Sequence, residues 1–332
     1  MPELGVPPGV VSAEAAIQID GRDEPRLTAG LLSLLVEETT EGLFRCEARF
    51  SNWGSGSNGP DFLYFDRQTL DFGKELAVRL GAGDGEGEVF RGHISALEGH
   101  FTPQEPPSLV VLAEDRGQAL RLTRRSRVFE EMSDADVFAQ IAADHGLQAE
   151  IDVSGPVHAL LAQVNQSDLA FLRARARWLD AELWLEGRTL HVQSRRGRLQ
   201  AATADLTLVL GRGLIELEVC ADTAHQHTSV MVSGWDVAAK SGIQAEATAG
   251  ALGSELGSDE SGADVTRAAF GERVDRLAHH APLTSADAQG LADAAFRGQA
   301  RRFVVGHGVA RGDARLRVGA KVRLEGLGPL FN

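Results

Sequence analysis

Two histidines, His225 and His227, have a spacing that would suit a metal site. They flank Gln226, and in a strand both imidazoles would point to the same side, as two ligands of one ion require. A third ligand is not evident in the sequence around them. Polar residues at the entrance of a strand are therefore the better interpretation, and we predict no metal ligands.

A second pair, His279 and His280, falls at the end of a predicted helix. Adjacent residues do not share a helix face, so the pair suits the negative end of the helix dipole better than a common ligand. Four alternating glycines indicate a turn, because they neither complete a dinucleotide-binding fingerprint nor open a helix; they are Gly81, Gly83, Gly85 and Gly87. We therefore predict no cofactor and no cofactor-binding residues.

Signatures of nucleophilic and phosphate chemistry are missing, since the sequence has no Gly-x-Ser-x-Gly elbow, no P-loop and no Cys-x-x-Cys. Its 47 acidic residues leave one enzymatic alternative open, a glycosidase-like pair of carboxyl groups. Such a pair needs one carboxyl in an apolar pocket and a second at a set distance, which a sequence cannot show. We name no catalytic residues and predict that the chain is not an enzyme.

Arginines cluster in the middle of the chain, at Arg116, Arg121, Arg124, Arg125, Arg127, Arg173, Arg175, Arg177, Arg195, Arg196 and Arg198. A solvated face is the simplest interpretation. The functional alternative is a rim that pairs with acidic neighbours of another subunit, for which the planar guanidinium is well suited. The net charge of -14 and the lack of interleaved exposed aromatic residues argue against a nucleic-acid partner.

Two helices lie among these arginines, and the first is predicted over residues 133–146. Ser133 can cap its amino end, Asp134 and Asp136 suit the positive end of the helix dipole, and Gly146 suits a left-handed carboxyl end. Its apolar face is formed by Val137, Phe138, Ile141 and Ala142.

The second helix begins at Ser167, with Asp168 in its first turn. Its apolar stripe has helical spacing and comprises Leu169, Leu172, Ala176 and Leu179, flanked by Phe171 and Trp178. A β-hairpin over 182–186 and 189–193 follows, with a turn at Gly187-Arg188. Residues 119–200 therefore form an α+β insert of two helices and a hairpin.

The residues before the insert, 12–118, alternate between apolar and polar side chains and predict a first antiparallel β-barrel or sandwich. Its strands are predicted at 16–20, 31–39, 44–50, 75–80, 88–101 and 108–114. Glycine- and asparagine-rich turns are predicted at 52–60 and 81–87.

The residues after the insert, 201–332, predict a second β part. Strands are expected at 206–210, 214–221, 228–237, 302–310 and 316–325, and helices at 263–280 and 285–302, the latter capped by Ser285. Residues 238–264 are rich in small and acidic residues and predict a mobile loop. The turn at 326–332 normally leads into another strand, so we expect this sheet to be incomplete at the C-terminus.

Composition limits the number of domains, the redox compartment and the possibility of a membrane span. With 332 residues, 43% of them hydrophobic, the chain is long enough for two domains. Cys46 and Cys220 are too few for a disulfide framework and suggest a reducing compartment. Residues 1–11 form an N-terminal tail without the features of a signal peptide, and no apolar run is long enough to span a membrane.

Three runs of the insert resemble the phage late-control D family, the hub proteins of contractile tails, which are related to the hub portion of VgrG spike proteins. The runs are Phe129-Glu130-Glu131-Met132-Ser133-Asp134-Ala135-Asp136, Ile141-Ala142-Ala143-Asp144-His145-Gly146-Leu147 and Gln163-Val164-Asn165-Gln166-Ser167-Asp168-Leu169-Ala170-Phe171-Leu172-Arg173-Ala174-Arg175-Ala176. The resemblance implies a mainly β fold in which two antiparallel barrels like the tail-tube subunit flank the insert.

The resemblance also implies a function. It predicts a structural baseplate hub at the base of the spike, in which a homotrimer adapts a hexameric tail tube to a trimeric spike. The implied partners are the tube or tube-initiator protein, a spike or spike-tip protein and baseplate wedge components. Assembly would take place in the cytoplasm, before incorporation into the particle. The alternative is a cell-wall hydrolase associated with the tail tip.

Overall fold

The computed structural model describes residues 15–56, 59–81, 86–201, 205–237, 239–255, 260–278 and 282–327. These residues form two compact units. The first comprises the described residues within Met1–Gln118 together with Arg311–Ala320, and the second comprises those within Ala119–Ala310 and Lys321–Asn332. The predicted class, mainly β with an α+β insert, is confirmed.

An antiparallel sheet of seven strands, in the order β2-β1-β7-β8-β9-β4-β3, forms most of the first unit. Alternating apolar residues cover its inner face, and Phe50, Leu76 and Val111 are fully buried. Six strands lie where they were predicted, at β1 (Ala16–Ile19), β3 (Leu31–Glu37), β4 (Arg45–Ser51), β7 (Glu75–Leu80), β8 (Gly87–His100) and β9 (Ser108–Glu114). The two-residue strand β2 (Arg22–Asp23) was not predicted.

The stretch predicted as an irregular turn at 52–60 is instead part of a small hairpin of β5 (Trp53–Gly56) and β6 (Gly59–Phe62). Buried Asn52 holds the base of this hairpin, because its side-chain oxygen accepts hydrogen bonds from the backbone N–H groups of Leu63 and Tyr64. A short helix, α1 (Pro25–Ala29), was not predicted from the sequence.

The insert combines two capped helices with two small sheets. A long antiparallel ladder of β10 (Arg124–Ser133) and β12 (Val157–Ser167) leads into α3 (Asp134–Asp144) and α4 (Asp168–Trp178). The remaining strands form the sheet β11-β14-β13. Their bounds, with those of the short helices, are β11 (Gln148–Asp152), β13 (Ala181–Glu186), β14 (Thr189–Ser194), α2 (Gln118–Arg121) and α5 (Arg195–Ala201).

Both predicted helix starts are confirmed. The hydroxyl groups of Ser133 and Ser167 accept hydrogen bonds from the N–H groups of Asp136 and Ala170. Gly146 has a φ of 66°, the left-handed conformation expected just beyond the end of the first helix.

The strands after the insert form two sheets that contain parallel pairs, which differs from the predicted antiparallel barrel. One sheet has the order β20-β16-β15-β21, in which β15 pairs in parallel with β21. The other has the order β18-β17-β19, in which β17 pairs in parallel with β19. The bounds are β15 (Asp205–Leu210), β16 (Gly213–Ala221), β17 (Ser229–Asp236), β18 (Ser241–Thr248), β19 (Val274–Leu277), β20 (Val304–Ala310) and β21 (Lys321–Glu325).

The prediction of a loop over 238–264 was wrong for most of its length. Residues Ser241–Thr248 form β18, Ala249–Glu255 form a 3₁₀ segment and a helix begins at Gly262. Ile243, Ala245 and Ala247 alternate inward along β18 and join the apolar core with Phe296. Alternating small residues thus supply enough buried surface for a strand, although the overall composition suggested none.

The helices that follow are shorter than predicted. The first, α6 (Gly262–Phe270), ends before Gly271, whose φ of 79° breaks the helix, and residues 274–277 form β19. The second, α7 (Ser285–Ala300), is capped by the hydroxyl of Thr284 rather than by Ser285.

The strands predicted at 302–310 and 316–325 are also shorter in the structure, where residues 311–320 belong to the first unit. There, Arg317 and the N–H of Val318 bind the carboxylate of Glu38. None of the helices in the described ranges has the length and apolar character that crossing a membrane requires. The predicted tail at 1–11 and residues 328–332 of the predicted final turn lie outside the described residues.

Candidate functional site

The insert contains two buried carboxylates, each the first residue of a helix. Asp134 begins α3, and its side chain is 2% exposed. Arg175 of α4 donates hydrogen bonds to both carboxylate oxygens, at 2.5 and 2.8 Å, and the ring nitrogen of His158 lies 3.0 Å away. Arg175 also lies over the ring of Trp178, 5.0 Å from its centroid. The charge of Asp134 is therefore neutralised inside the insert.

The second carboxylate, Asp168, repeats this arrangement at the start of α4. Its side chain is 1% exposed and accepts hydrogen bonds from Arg127 at 2.8 Å and Gln163 at 2.9 Å. The ring nitrogen of His145 lies 2.8 Å away, and Arg125 lies at 3.4 Å. Each buried aspartate thus has an arginine and a histidine as neighbours.

The two clusters follow from a repeated sequence of elements. Both β10 and β12 end in a serine that caps a helix, and an aspartate follows each serine. Because the two strands are antiparallel, with Arg124 opposite Ser167 and Ser133 opposite Val157, the aspartates lie at opposite ends of the ladder. Between them the rings of Phe129 and Phe171 stack with centroids 5.8 Å apart.

The pKa of Asp168 excludes it as a general acid at neutral pH. Burial by itself would raise this pKa, but the hydrogen bonds from His145 and Gln163 and the charges of Arg127 and Arg125 outweigh burial and lower it. A wall-degrading enzyme needs a carboxyl group whose pKa is raised. Asp168 therefore has the environment of a structural ion pair.

A third cluster joins the insert to the residues that follow it in the same unit. Asp180, with a side chain 7% exposed, accepts hydrogen bonds from Arg297 at 3.1 Å and Arg301 at 2.5 and 2.8 Å. Arg301 also reaches Glu255 at 2.9 Å, and Arg196 lies 3.4 Å from the same carboxylate. Burial opposes the charged guanidinium, but the hydrogen bonds and charges of Asp180 and Glu255 raise the pKa of Arg301.

These contacts correct the interpretation of the arginine cluster as a solvated face or an intersubunit rim. Most of its members pair with carboxylates of the same chain, because the tertiary fold brings buried acids beside them. The paired arginines are Arg125, Arg127, Arg175, Arg195, Arg196 and Arg198. Sequence reasoning missed these pairs, since the partners are 13 to 59 positions away along the chain.

A cleft of about 530 Å³ opens beside the Asp134 cluster. One wall comes from the loop before β12, from β12 itself and from the end of α4, and the other comes from α7 and the residues before it. Leu160 and Leu283, with exposed fractions of 58% and 64%, face it from opposite walls. The charged groups of Asp134 and Arg175 that line it are already paired with each other.

His225 and His227 do not have the strand geometry that two ligands of one metal ion were expected to need. His225 lies in a turn rather than a strand, and the ring of His227 bonds to the side-chain oxygen of Gln299 at 2.9 Å. His279 and His280 lie outside the described residues. Among the residues that the structure describes, no group of three or more histidine, cysteine or acidic side chains could hold a metal ion.

Solved structures of phage tail proteins share this fold, as two examples at low sequence identity show. The 43 kDa tail protein of prophage MuSo2 from Shewanella oneidensis is 12% identical, with a TM-score of 0.64 over 91% of this chain and 83% of that chain. A tail protein from Neisseria meningitidis is 13% identical, with a TM-score of 0.61 over 95% of this chain and 86% of that chain.

A prophage tail protein from Listeria monocytogenes also shares the fold, with 11% identity and a TM-score of 0.50 over 89% of this chain and 80% of that chain. No curated protein matches the sequence. The chain belongs to the family described as the Alg8 N-terminal domain, whose model matches residues 14–332.

Proposed function

We propose that this chain is a structural hub of a contractile injection particle, where three copies join the tail tube to the spike. The observation that carries the proposal is the fold, which this chain shares with two phage tail proteins over 91% and 95% of its length. The resemblance of the insert to hub proteins of contractile tails adds the position within the particle.

The proposed organisation is a first tube-like part at 12–118, an insert at 119–200 and a second part at 201–332. A trimer of chains with two tube-like parts presents six similar surfaces, which matches a hexameric tube on one side and a trimeric spike on the other. The proposed partners are a tube or tube-initiator protein, a spike or spike-tip protein and baseplate wedge components. Assembly would precede release of the particle from the cytoplasm.

The ion pairs of the insert support a scaffolding role. Asp134 and Asp168 are buried and paired with arginines of the insert, and Asp180 pairs with Arg301 of the residues that follow it.

Electron cryomicroscopy of particles purified from the producing cells tests the proposal directly. We expect three copies of this chain between the end of the tube and the base of the spike. Intact particles that lack the chain, or contain it elsewhere, would refute the hub assignment. The acidic net charge also leads us to expect a negatively charged channel in the trimer, and a basic channel wall would contradict that expectation.

The alternative of a wall hydrolase has its own experiment. Purified chain is incubated with peptidoglycan, and soluble fragments are measured over time. The proposal of a structural hub requires no turnover above that of the heat-denatured chain. Turnover that disappears on replacing one carboxylate would favour the hydrolase.

A further inference from the structure

The seven-stranded sheet of the first unit has two different edges. Its β2 edge is two residues long and consists of Arg22 and Asp23, which are charged and exposed. Its β3 edge is seven residues long and carries no charge before Glu37. Leu32 and Leu35 on β3 are 59% and 54% exposed. Proteins protect sheet edges with short strands and charges, so β2 is protected and β3 is not.

The sheet β20-β16-β15-β21 shows the same asymmetry. Its β21 edge carries three exposed charged residues, Lys321, Arg323 and Glu325. Its β20 edge is seven residues long, contains no acidic, lysine or arginine residue and is exposed along six of its positions. Val305 and Val309 are 44% and 52% exposed. An exposed, uncharged valine-rich edge without proline is a template for pairing with another strand.

A third uncharged strand, β12, also pairs on one side only among the described residues. Residues from both of its faces, Leu160 and Leu161, line the cleft that Leu283 and α7 close from the other side. Part of the same chain therefore already faces β12. For this reason β12 is a weaker candidate than β3 or β20 for pairing with another copy.

We propose that β3 of one copy pairs edge to edge with β20 of the next copy. The two strands have equal lengths and lie in different units of the chain, and among the described residues each is the last strand of its sheet, while the opposite edge of each sheet is charged. A head-to-tail contact of this kind uses one edge from each copy, and closure of a ring leaves neither edge exposed. Backbone hydrogen bonds between the strands supply the affinity, and the exposed leucines and valines are buried against each other. This inference rests on the proposed ring of three chains.

Disulfide trapping tests the contact in a chain that carries Cys220→Ala. That change removes the exposed thiol opposite Val305, and it leaves only the buried Cys46. Chains with Ser33→Cys or Leu35→Cys are co-expressed, under a different affinity tag, with chains that carry a cysteine at 305, 307 or 309. We expect a disulfide-linked dimer containing both tags in at least one combination. The matched control places cysteines on the charged edges, with Arg22→Cys and Arg323→Cys, and should yield no mixed dimer.

A charge introduced on the β20 edge provides a second test of the contact. Val305→Lys introduces an ammonium group that pairing would bury, so we expect at least about tenfold weaker association by analytical ultracentrifugation. Val128→Lys is the matched control, because Val128 is 52% exposed and belongs to β10, which is neither of the two strands proposed to pair. Thermal melting of both variants shows whether the fold is retained.

The possible outcomes separate this inference from the proposed function. A trimeric wild-type chain that forms no mixed dimer, and whose Val305→Lys variant associates normally, would refute the strand pairing and leave the hub intact. A wild-type chain that is monomeric even in the particle would refute both. A disulfide between the β20 cysteine and a different protein of the particle would assign that edge to another partner and overturn the inference.

Discussion

Arg175 and Asp134 form a buried ion pair across 41 positions of the chain. Two hydrogen bonds of 2.5 and 2.8 Å connect them, and their side chains are 12% and 2% exposed. Arg127 and Asp168, also 41 positions apart, form the corresponding pair at the other end of the ladder. The first pair links α4 to the start of α3, and the second links β10 to the start of α4. Two equivalent ion pairs therefore connect the elements of the insert.

Removing one partner of such a pair is expected to destabilise the second unit strongly. Arg175→Met would leave Asp134 buried with only His158 beside it, and the expected loss is about 3–5 kcal/mol of unfolding free energy. The double variant with Asp134→Asn should lose less than the sum of the two single changes. Urea unfolding followed by circular dichroism measures the unfolding free energy of the single and double variants. Arg267→Met, which breaks exposed ion pairs with Asp264 and Glu272, is the control and should have a much smaller effect.

The lowered pKa of Asp168 predicts how stability depends on pH. A carboxyl group whose pKa is lower in the folded chain stabilises the fold fully above its unfolded pKa of about 3.9. This contribution is lost as the pH falls below that value and through the folded pKa. The difference in unfolding free energy between wild type and Asp168→Asn should therefore be constant from pH 7 to about pH 5 and shrink towards pH 3. A difference that grows on acidification would contradict the assignment.

The aromatic core of the insert should not tolerate a charge. Phe171 is 5% exposed and stacks on Phe129, so Phe171→Asp would bury an unpaired carboxylate at a cost comparable to the stability of a domain. We expect no cooperative unfolding transition for this variant. Trp178→Asp should be less severe, because Trp178 is only partly buried. Phe270→Asp, at a site 58% exposed, is the control and should melt like wild type.

The two cysteines should differ in reactivity. Burial, assisted by the charge of Glu47, raises the pKa of Cys46 to about 12, whereas Cys220 is exposed. We expect a chromogenic disulfide reagent to modify one thiol per folded chain and two per denatured chain. Cys220→Ala should abolish labelling of the folded chain. Rapid reaction of both thiols without denaturant would show that the first unit opens readily.

Asn52 is expected to hold the β5–β6 hairpin in place. Asn52→Ala would leave the N–H of buried Tyr64 without its acceptor, whereas the N–H of Leu63 keeps the backbone oxygen of residue 52, and the expected cost is about 1–3 kcal/mol. Hydrogen exchange should then speed up in the hairpin more than in β9. Equal protection of the hairpin against hydrogen exchange in the wild type and in Asn52→Ala would show that other contacts hold the hairpin.

Sequence patterns predicted the local elements well where a few neighbouring residues decide the outcome. Ser133, Ser167 and Gly146 marked the ends of helices correctly, and alternation placed β7 and β9 at the bounds observed. A cap or a turn depends on residues three or four positions away, so its signal is complete within a short stretch of sequence. The same reasoning was wrong over 238–264, where composition suggested a loop although Ile243, Ala245 and Ala247 alternate as in a strand.

The sequence by itself therefore determined the two capped helices of the insert, six strands of the first unit, the hairpin of the insert and the mainly β class. Only the tertiary structure decided which arginines are paired, which acids are buried and which strands, among the described residues, lie at the edges of sheets. Arg301 meets Asp180 across 121 positions, and β15 pairs with β21 across more than 100 residues of intervening chain. Pairings over such distances depend on the position of every element between the partners, and no local pattern of residues encodes them.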